Sequence, residues 1–161
     1  MKENCQIIDL ACGIKAMYIQ KNHPLVLYND IRREEKGFFD FRPNFEVQPD
    51  IQEDFTKLPF EDHTFYHVVF DPPHLWYNPN MRMTKPYGYL EKHNYQEVLK
   101  KGFEEGWRIL KPGGTLVFKW NETSISKKEV LSLFPIDPIY GHPTGSKNKT
   151  HWLIFFKEVK E

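Results

Sequence analysis

The chain has 161 residues, enough for one domain with a real core and too few for two comfortable ones. Its 22 basic and 22 acidic residues cancel, which excludes a global attraction to nucleic acid, and 40% hydrophobic residues let it fold without covalent staples. The two cysteines, Cys5 and Cys12, form neither a disulfide framework nor a zinc set, no apolar run approaches membrane-spanning length, and the N-terminus lacks a signal peptide's apolar core, so a soluble cytoplasmic protein is expected.

In chain order, Gln6-Ile7-Ile8-Asp9-Leu10 is a short apolar run broken by Gly13, which predicts a buried strand leaving through a tight turn. Ile14 to Lys21 is expected to form a brief helix, stopped before Pro24. Leu25-Val26-Leu27-Tyr28 predicts a second buried strand with Asn29-Asp30 at its C-terminal end. From Ile31 to Pro49 the periodicity is weak, and the reading is irregular chain with a short strand near Val47. Phe65 to Phe70 is a strong strand, ended by Asp71-Pro72-Pro73 because proline cannot donate to a ladder.

Trp76 to Asn94 carries Pro79, Pro86 and Gly88 and reads as a long loop, of the kind that tends to be functional or mobile. Tyr95 to Leu110 sets Leu99, Phe103, Trp107 and Leu110 at helical spacing, and Lys111-Pro112-Gly113-Gly114 closes that helix. Thr115 to Trp120 is a further buried strand. Ser126 to Glu129 has capping-box spacing and opens a helix to about Leu133. Pro138 to His142 and His151 to Lys157 read as strands whose short link holds no helix, so they should pair antiparallel. Together these elements predict a single α/β domain over residues 1–161: a three-layer sandwich around a mainly parallel sheet, with a C-terminal antiparallel hairpin and no separate target-recognition domain.

In open parallel sheets, ligands bind beyond the C-terminal strand ends, where strand order reverses. The first strand delivers Asp9, Ala11 and Gly13 there. The second delivers Asp30, 21 positions after Asp9, where a carboxylate can accept both hydroxyls of a ribose. Asp54, followed by Phe55, leaves the weak third strand, and Asp71-Pro72-Pro73-His74 leaves the fourth. Any one of these is ordinarily a solvated loop acid or a strand-end cap. Four in chain order, each at a strand exit, point to a cofactor containing a nucleoside.

Gly13 is followed by Ile14-Lys15-Ala16-Met17, so the glycine cradle of dinucleotide sites is missing, as is the Gly-Lys-Ser/Thr phosphate loop. Ribose and adenine without phosphates fit better. The seven histidines have no ligand spacing, and no metal is expected.

Over nearly its whole length the sequence resembles the class I S-adenosylmethionine-dependent methyltransferases, which implies a Rossmann-like fold, that cofactor and methyl transfer. Asp71-Pro72-Pro73-His74 is similar to the Asp-Pro-Pro-aromatic signature of nucleic-acid amino-methyltransferases. Asp30-Ile31-Arg32, Lys119-Trp120-Asn121-Glu122 and Thr150-His151-Trp152 resemble stretches of small bacterial and phage-type members that modify DNA, in the manner of N6-adenine enzymes.

Carried over by position, the resemblance implies that Asp9 to Gly13 wrap the methionine end of the cofactor and that Asp30 holds the ribose. Asp54 would accept from the adenine amino group, and the Phe55 N–H would bond the ring. Lys15 departs from the pattern, standing where the class has a second glycine.

For Asp71 to His74 the implied chemistry is activation of an exocyclic amine. The carboxylate of Asp71 and the carbonyl of Pro72, held rigid by its ring, would accept the two amino protons. His74 would stack on the base or take a proton.

Residues Trp76 to Lys101 carry five bases against two acids, and Glu46 to Asp62 carry six acids against one lysine. Both stretches read first as solvated surface. Beside Trp76, Tyr77, Tyr87 and Tyr89 the basic stretch also suits a single-stranded nucleic acid. Zero net charge keeps open a small-molecule or protein-amide acceptor. Lys15 keeps open a catalytically silent subunit that serves a separate recognition partner.

Overall fold

A computed structural model describes residues 4–159. Six strands form one sheet: β1 (Ile7–Asp9), β2 (Val26–Tyr28), β3 (Phe65–Phe70), β4 (Leu110–Asn121), β5 (Tyr140–Thr144) and β6 (Thr150–Phe156). Their order is β2-β1-β3-β4-β6-β5. β2, β1, β3 and β4 run parallel, whereas β6 is antiparallel to both β4 and β5. The sheet is therefore mixed, and the mainly parallel description holds only for its first four strands. The chain steps outward from β1 to β2 and then returns to β3 on the other side of β1. That reversal opens a crevice at the C-terminal ends of β1 and β3.

Three α-helices are present among the described residues: α1 (Thr84–Tyr87), α2 (Tyr95–Ile109) and α3 (Lys127–Leu131), with one 3-10 turn at Ser146–Asn148. None is long and apolar enough to cross a membrane. α2 buries Leu99, Gly102, Phe103, Gly106 and Ile109, the stripe that the helical period dictates. Its side chains close one core with Ile8, Leu10, Val68, Phe70, Leu116, Phe118 and Phe155 of the sheet. α3 begins as its capping sequence predicts, with the Ser126 side chain accepting from the Glu129 N–H at 3.2 Å.

Gly102 and Gly106 let α2 approach the sheet closely. A Cβ at Gly102 would lie 2.7 Å from the rings of both Phe55 and Phe70. Gly102→Ala is accordingly expected to destabilise the fold by about 1–3 kcal/mol through overpacking, read as a lowered chemical-denaturation midpoint. An unchanged midpoint would mean that the two rings have room to move.

Other expectations also differ from the observed fold: Lys111 to Gly114, read as the turn that closes the long helix, already belong to β4. The helix over 14–21 does not form. Lys15 takes a left-handed backbone (φ +54°) two positions after Gly13 (φ +49°), and successive turns carry the chain to Pro24. The third strand shrinks to isolated bridges, Asn29 with Ile51 and Glu34 with Val47. Pro49 has no N–H to donate, and at Tyr28 the Asp50 carboxylate takes a bond that a strand neighbour would make, accepting from the Tyr28 N–H at 3.0 Å.

Among the described residues, no helix forms the third layer of the sandwich. Opposite α2, the sheet is covered at β1 and β2 by Cys12 and Tyr18. Farther along, Val117, Trp152 and Ile154 are half-buried, while Tyr140 and Phe156 are exposed. Within the stretch read as a long loop, residues 76–94, the chain forms α1 and a bridge between Trp76 and Leu90.

Candidate functional site

A cavity of about 330 Å³ opens at the C-terminal ends of β1 and β3, where the topology predicts a ligand crevice. Leu10, Ala11, Cys12 and Gly13 form its floor after β1. Asp30, Ile31 and Arg32 enter after β2, Asp71 to Leu75 after β3, and Lys119 from β4. Phe55 closes one wall, and Met83 and Tyr87 lie over the mouth.

Asp30 stitches two of these segments together. Its Oδ2 accepts from the Gly13 N–H at 2.8 Å, and its Oδ1 accepts from the Arg32 N–H at 2.9 Å and from Arg32 Nε at 3.1 Å. The Arg32 guanidinium also donates to the carbonyls of Lys85 and Pro86, at 3.2 and 3.4 Å. One arginine thus ties an acid of the cavity lining to α1. Gly88, at φ +74°, completes that closure, since a Cβ there would lie 3.0 Å from the Pro73 ring.

Asp9 is wholly buried behind the floor and does not line the cavity. The Tyr18 hydroxyl donates to its Oδ2 at 2.8 Å and the Ala11 N–H to its Oδ1 at 3.1 Å. Burial outweighs these two donors and pushes its carboxyl up to about 7; the charges of Asp71 and Asp30 act in the same direction. Burial likewise raises the Cys12 thiol, which makes it an inert part of the floor.

Asp71 leaves β3 facing Lys119 of the neighbouring strand. The Lys119 ammonium donates to Asp71 Oδ2 at 2.5 Å, and both side chains are largely shielded from water. Burial raises the Asp71 carboxyl, and Lys119 opposes the rise. His74 sits edge-on to Trp120, with ring centroids 6.3 Å apart. Burial, helped by the Lys119 charge, pushes it down to about 4. It is therefore a neutral imidazole at physiological pH, suited to stacking and poorly suited to taking a proton.

Of the four acids expected to converge, Asp30 and Asp71 share the cavity. Asp9 lies immediately beneath it. Asp54 is exposed and outside the lining, its Oδ1 accepting from the N–H and hydroxyl of Thr56 at 2.8 Å each. Phe55 is brought in, its ring edge-on to Phe70 at 5.3 Å. Pro72 and Pro73 both line the wall beside Asp71.

Lys15 adopts the left-handed backbone a glycine would favour, and it turns its side chain away from the cavity. Its ammonium sits 4.1 Å from the centre of the Tyr28 ring. The turn at the departure from the glycine pattern thus keeps a glycine-like course.

Arg32, Tyr18 and Lys119 received no site role from the sequence. Arg32 and Lys119 belong to quoted motifs, but what they touch depends on neighbours 50 or so positions away in the chain. Among the described residues, no group of three or more His, Cys, Asp or Glu is placed to hold a metal ion.

Solved structures place this architecture among known folds. A protein of Pyrococcus horikoshii superposes with a TM-score of 0.61 at 20% identity, over 98% of this chain and 84% of its own. An S-adenosylmethionine-dependent methyltransferase from Methanosarcina mazei gives 0.58 at 14% identity, over 99% and 95%. An rRNA methylase from Streptococcus thermophilus gives 0.57 at 13% identity, over 99% and 91%. The chain has a Rossmann-like methyltransferase fold. No protein-family model and no curated protein matches the sequence, so the likeness is one of architecture, and the chemistry has to be argued from the cavity.

Proposed function

We propose that this chain is an S-adenosylmethionine-dependent methyltransferase that modifies an exocyclic amino group of a nucleic-acid base in the cytoplasm. The observation that carries the reading is that Asp71-Pro72-Pro73-His74 and the Asp30–Gly13 stitch form parts of one cavity. The lining suits the cofactor chemically. Asp30 and Asp71 put two carboxylates beside a cation, Leu10, Ile31 and Phe55 provide apolar walls for an adenosine, and there is no cradle that would call for phosphates. The methyltransferases among the structural neighbours are consistent with this assignment.

When bound, S-adenosylmethionine supplies an electrophilic methyl group on a positively charged sulfur. Asp30 would take ribose hydroxyls, sharing its oxygens with Gly13 and Arg32. Gly13 and Ala11 would offer main chain to the methionine end and Phe55 would flank the adenine, whereas Asp54 could reach the ring only by leaving Thr56.

On the acceptor side, an exocyclic amine is a weak nucleophile because its lone pair is spread into the ring. Asp71 and the Pro72 carbonyl accept its two N–H groups and favour a pyramidal nitrogen. S-adenosylmethionine held by Asp30, Gly13 and Ala11 would supply the methyl group and keep the C–S bonding pair on its sulfur, and the proton lost by the methylated amine would pass to the Asp71 carboxylate and then to water. Lys119 opposes the rise that burial imposes on that carboxylate and fixes one of its oxygens, leaving the other available. His74, neutral and planar, offers a stacking edge to the base.

The test is to incubate purified protein with methyl-labelled cofactor and mixtures of single- and double-stranded DNA and RNA. Label in the polymer, released on digestion as an N-methylated base, is the expected result. Label appearing only in small molecules or protein would overturn the acceptor assignment. A second reading, in which the acceptor is a small molecule, rests on the chain's zero net charge and predicts that outcome.

A further inference from the structure

Beside the cofactor cavity lies a second depression of about 460 Å³, lined by Phe39, Phe41, Arg42, Phe45, Arg82, Met83 and Tyr87. It shares Met83 and Tyr87 with the first cavity, so only the α1 segment separates the two. Three of its rings form a cluster, with Phe39 5.9 Å from Phe41 and 6.1 Å from Phe45 between centroids. The Arg82 guanidinium lies over the Phe41 ring, 4.1 Å from its centre. Only Phe39 is buried: Phe41 is 59% exposed, Met83 is 46% exposed, and both arginines face solvent.

A trough whose aromatic walls open to water and carry two guanidinium groups lacks the closure that an apolar small molecule needs. Its chemistry matches the planar faces and linking phosphates of an unstacked polynucleotide, since every base has a face to stack and arginine suits phosphate and aromatic partners alike.

We infer that this trough is a second nucleotide subsite, binding by stacking a base of a single-stranded nucleic acid that neighbours the base held at Asp71. The inference rests on the proposed base-modifying function and adds the form of the substrate: a single strand, or a strand locally opened, spanning both cavities across Met83 and Tyr87. Phe41 supplies the exposed stacking face. Arg82 and Arg42 meet the phosphates on either side of that base. This binding is sequence-tolerant, because stacking on Phe41 needs no base edge and the lining offers only the arginines and the Tyr87 hydroxyl as side-chain hydrogen-bonding groups.

Fluorescence anisotropy with short, labelled, mixed-sequence single-stranded DNA and RNA tests this in the presence of S-adenosylhomocysteine. Phe41→Ala is expected to weaken strand binding on the order of 5- to 100-fold, and Phe41→Trp to restore it. Arg82→Gln is expected to lower the slope of log affinity against log salt by about 0.7. Calorimetric binding of S-adenosylhomocysteine should stay unchanged in all three variants, which shows that they are folded.

Wild-type affinity and salt slope in Phe41→Ala and Arg82→Gln would overturn the subsite while leaving the base-modifying reading intact. A wild-type protein that binds no single strand but methylates duplex polymer would also overturn the subsite alone. Failure of the wild type both to bind and to methylate any nucleic acid would overturn the two readings together.

Discussion

Asp71→Asn is expected to lower methyl transfer on the order of 10²- to 10⁴-fold while leaving the affinity for S-adenosylhomocysteine unchanged. Asparagine keeps the shape of the side chain, and its carbonyl oxygen can still accept from Lys119. What it loses is the negative charge and the second acceptor, because an amide NH₂ facing the substrate amine meets donor with donor. Single-turnover assays with labelled cofactor and parallel calorimetry read the two quantities separately. An equal loss of both would place Asp71 in cofactor binding or in the fold, and the proposed chemistry would fall.

Lys119 provides the accompanying control. It opposes the upward pull of burial on Asp71, so Lys119→Met should move the acid limb of the rate profile to higher pH. A merely structural lysine would lower activity without moving that limb.

Asp9→Asn is expected to be more stable than the wild type above neutral pH, by an amount that vanishes in acid. The Asp9 carboxyl is raised from an ordinary value of 3.8 to about 7. Between those two values the folded state holds a proton that the unfolded chain has released. The wild type therefore loses stability from this group as pH rises through that interval, and the loss levels off above about 7.

The full excursion corresponds to about 4 kcal/mol in favour of the neutral form. Asparagine is neutral throughout. Its oxygen can accept from the Ala11 N–H, and its amide can donate to the Tyr18 hydroxyl. His74 works in the opposite direction: its folded value is about 4 against 6.5, so its contribution is lost as pH falls through that window. The wild-type curve alone mixes the two effects. The difference between wild type and Asp9→Asn, measured by chemical denaturation from pH 5 to pH 8, isolates Asp9. A difference that does not grow with pH would mean that the carboxyl is ionised throughout, held by Tyr18 and Ala11.

The contrast between Asp30 and Asp54 shows how far sequence reading reaches into this site. Both follow a strand-like segment, and in the linear chain they look equivalent. β2 is a fully buried strand with a definite end, so Asp30 is delivered to the crevice and gripped by Gly13 and Arg32. The segment before Asp54 is paired to the sheet only through single bridges, so its carboxylate turns back on Thr56. A local pattern ranks a strand's apolar residues but says nothing about whether a neighbouring backbone will pair with it.

The residues themselves determined β1, β2, β3, β4, the terminal hairpin and the long helix, because continuous apolar runs and the 3.6-residue stripe of Leu99, Phe103 and Ile109 bury only one way. They also determined that Asp71 would stand at a strand end, since two prolines allow the ladder to go no further.

Tertiary structure alone decided that Lys119 meets Asp71 and that Arg32 bridges Asp30 to α1. It also decided that Lys15 turns under the sheet in a glycine's conformation, that Asp9 is sealed behind the floor, and that a rim of phenylalanines from residues 39–45 meets Arg82. Each of these joins side chains brought together by strand order and chain reversal, and hydrophobic periodicity carries no record of which partners that order selects.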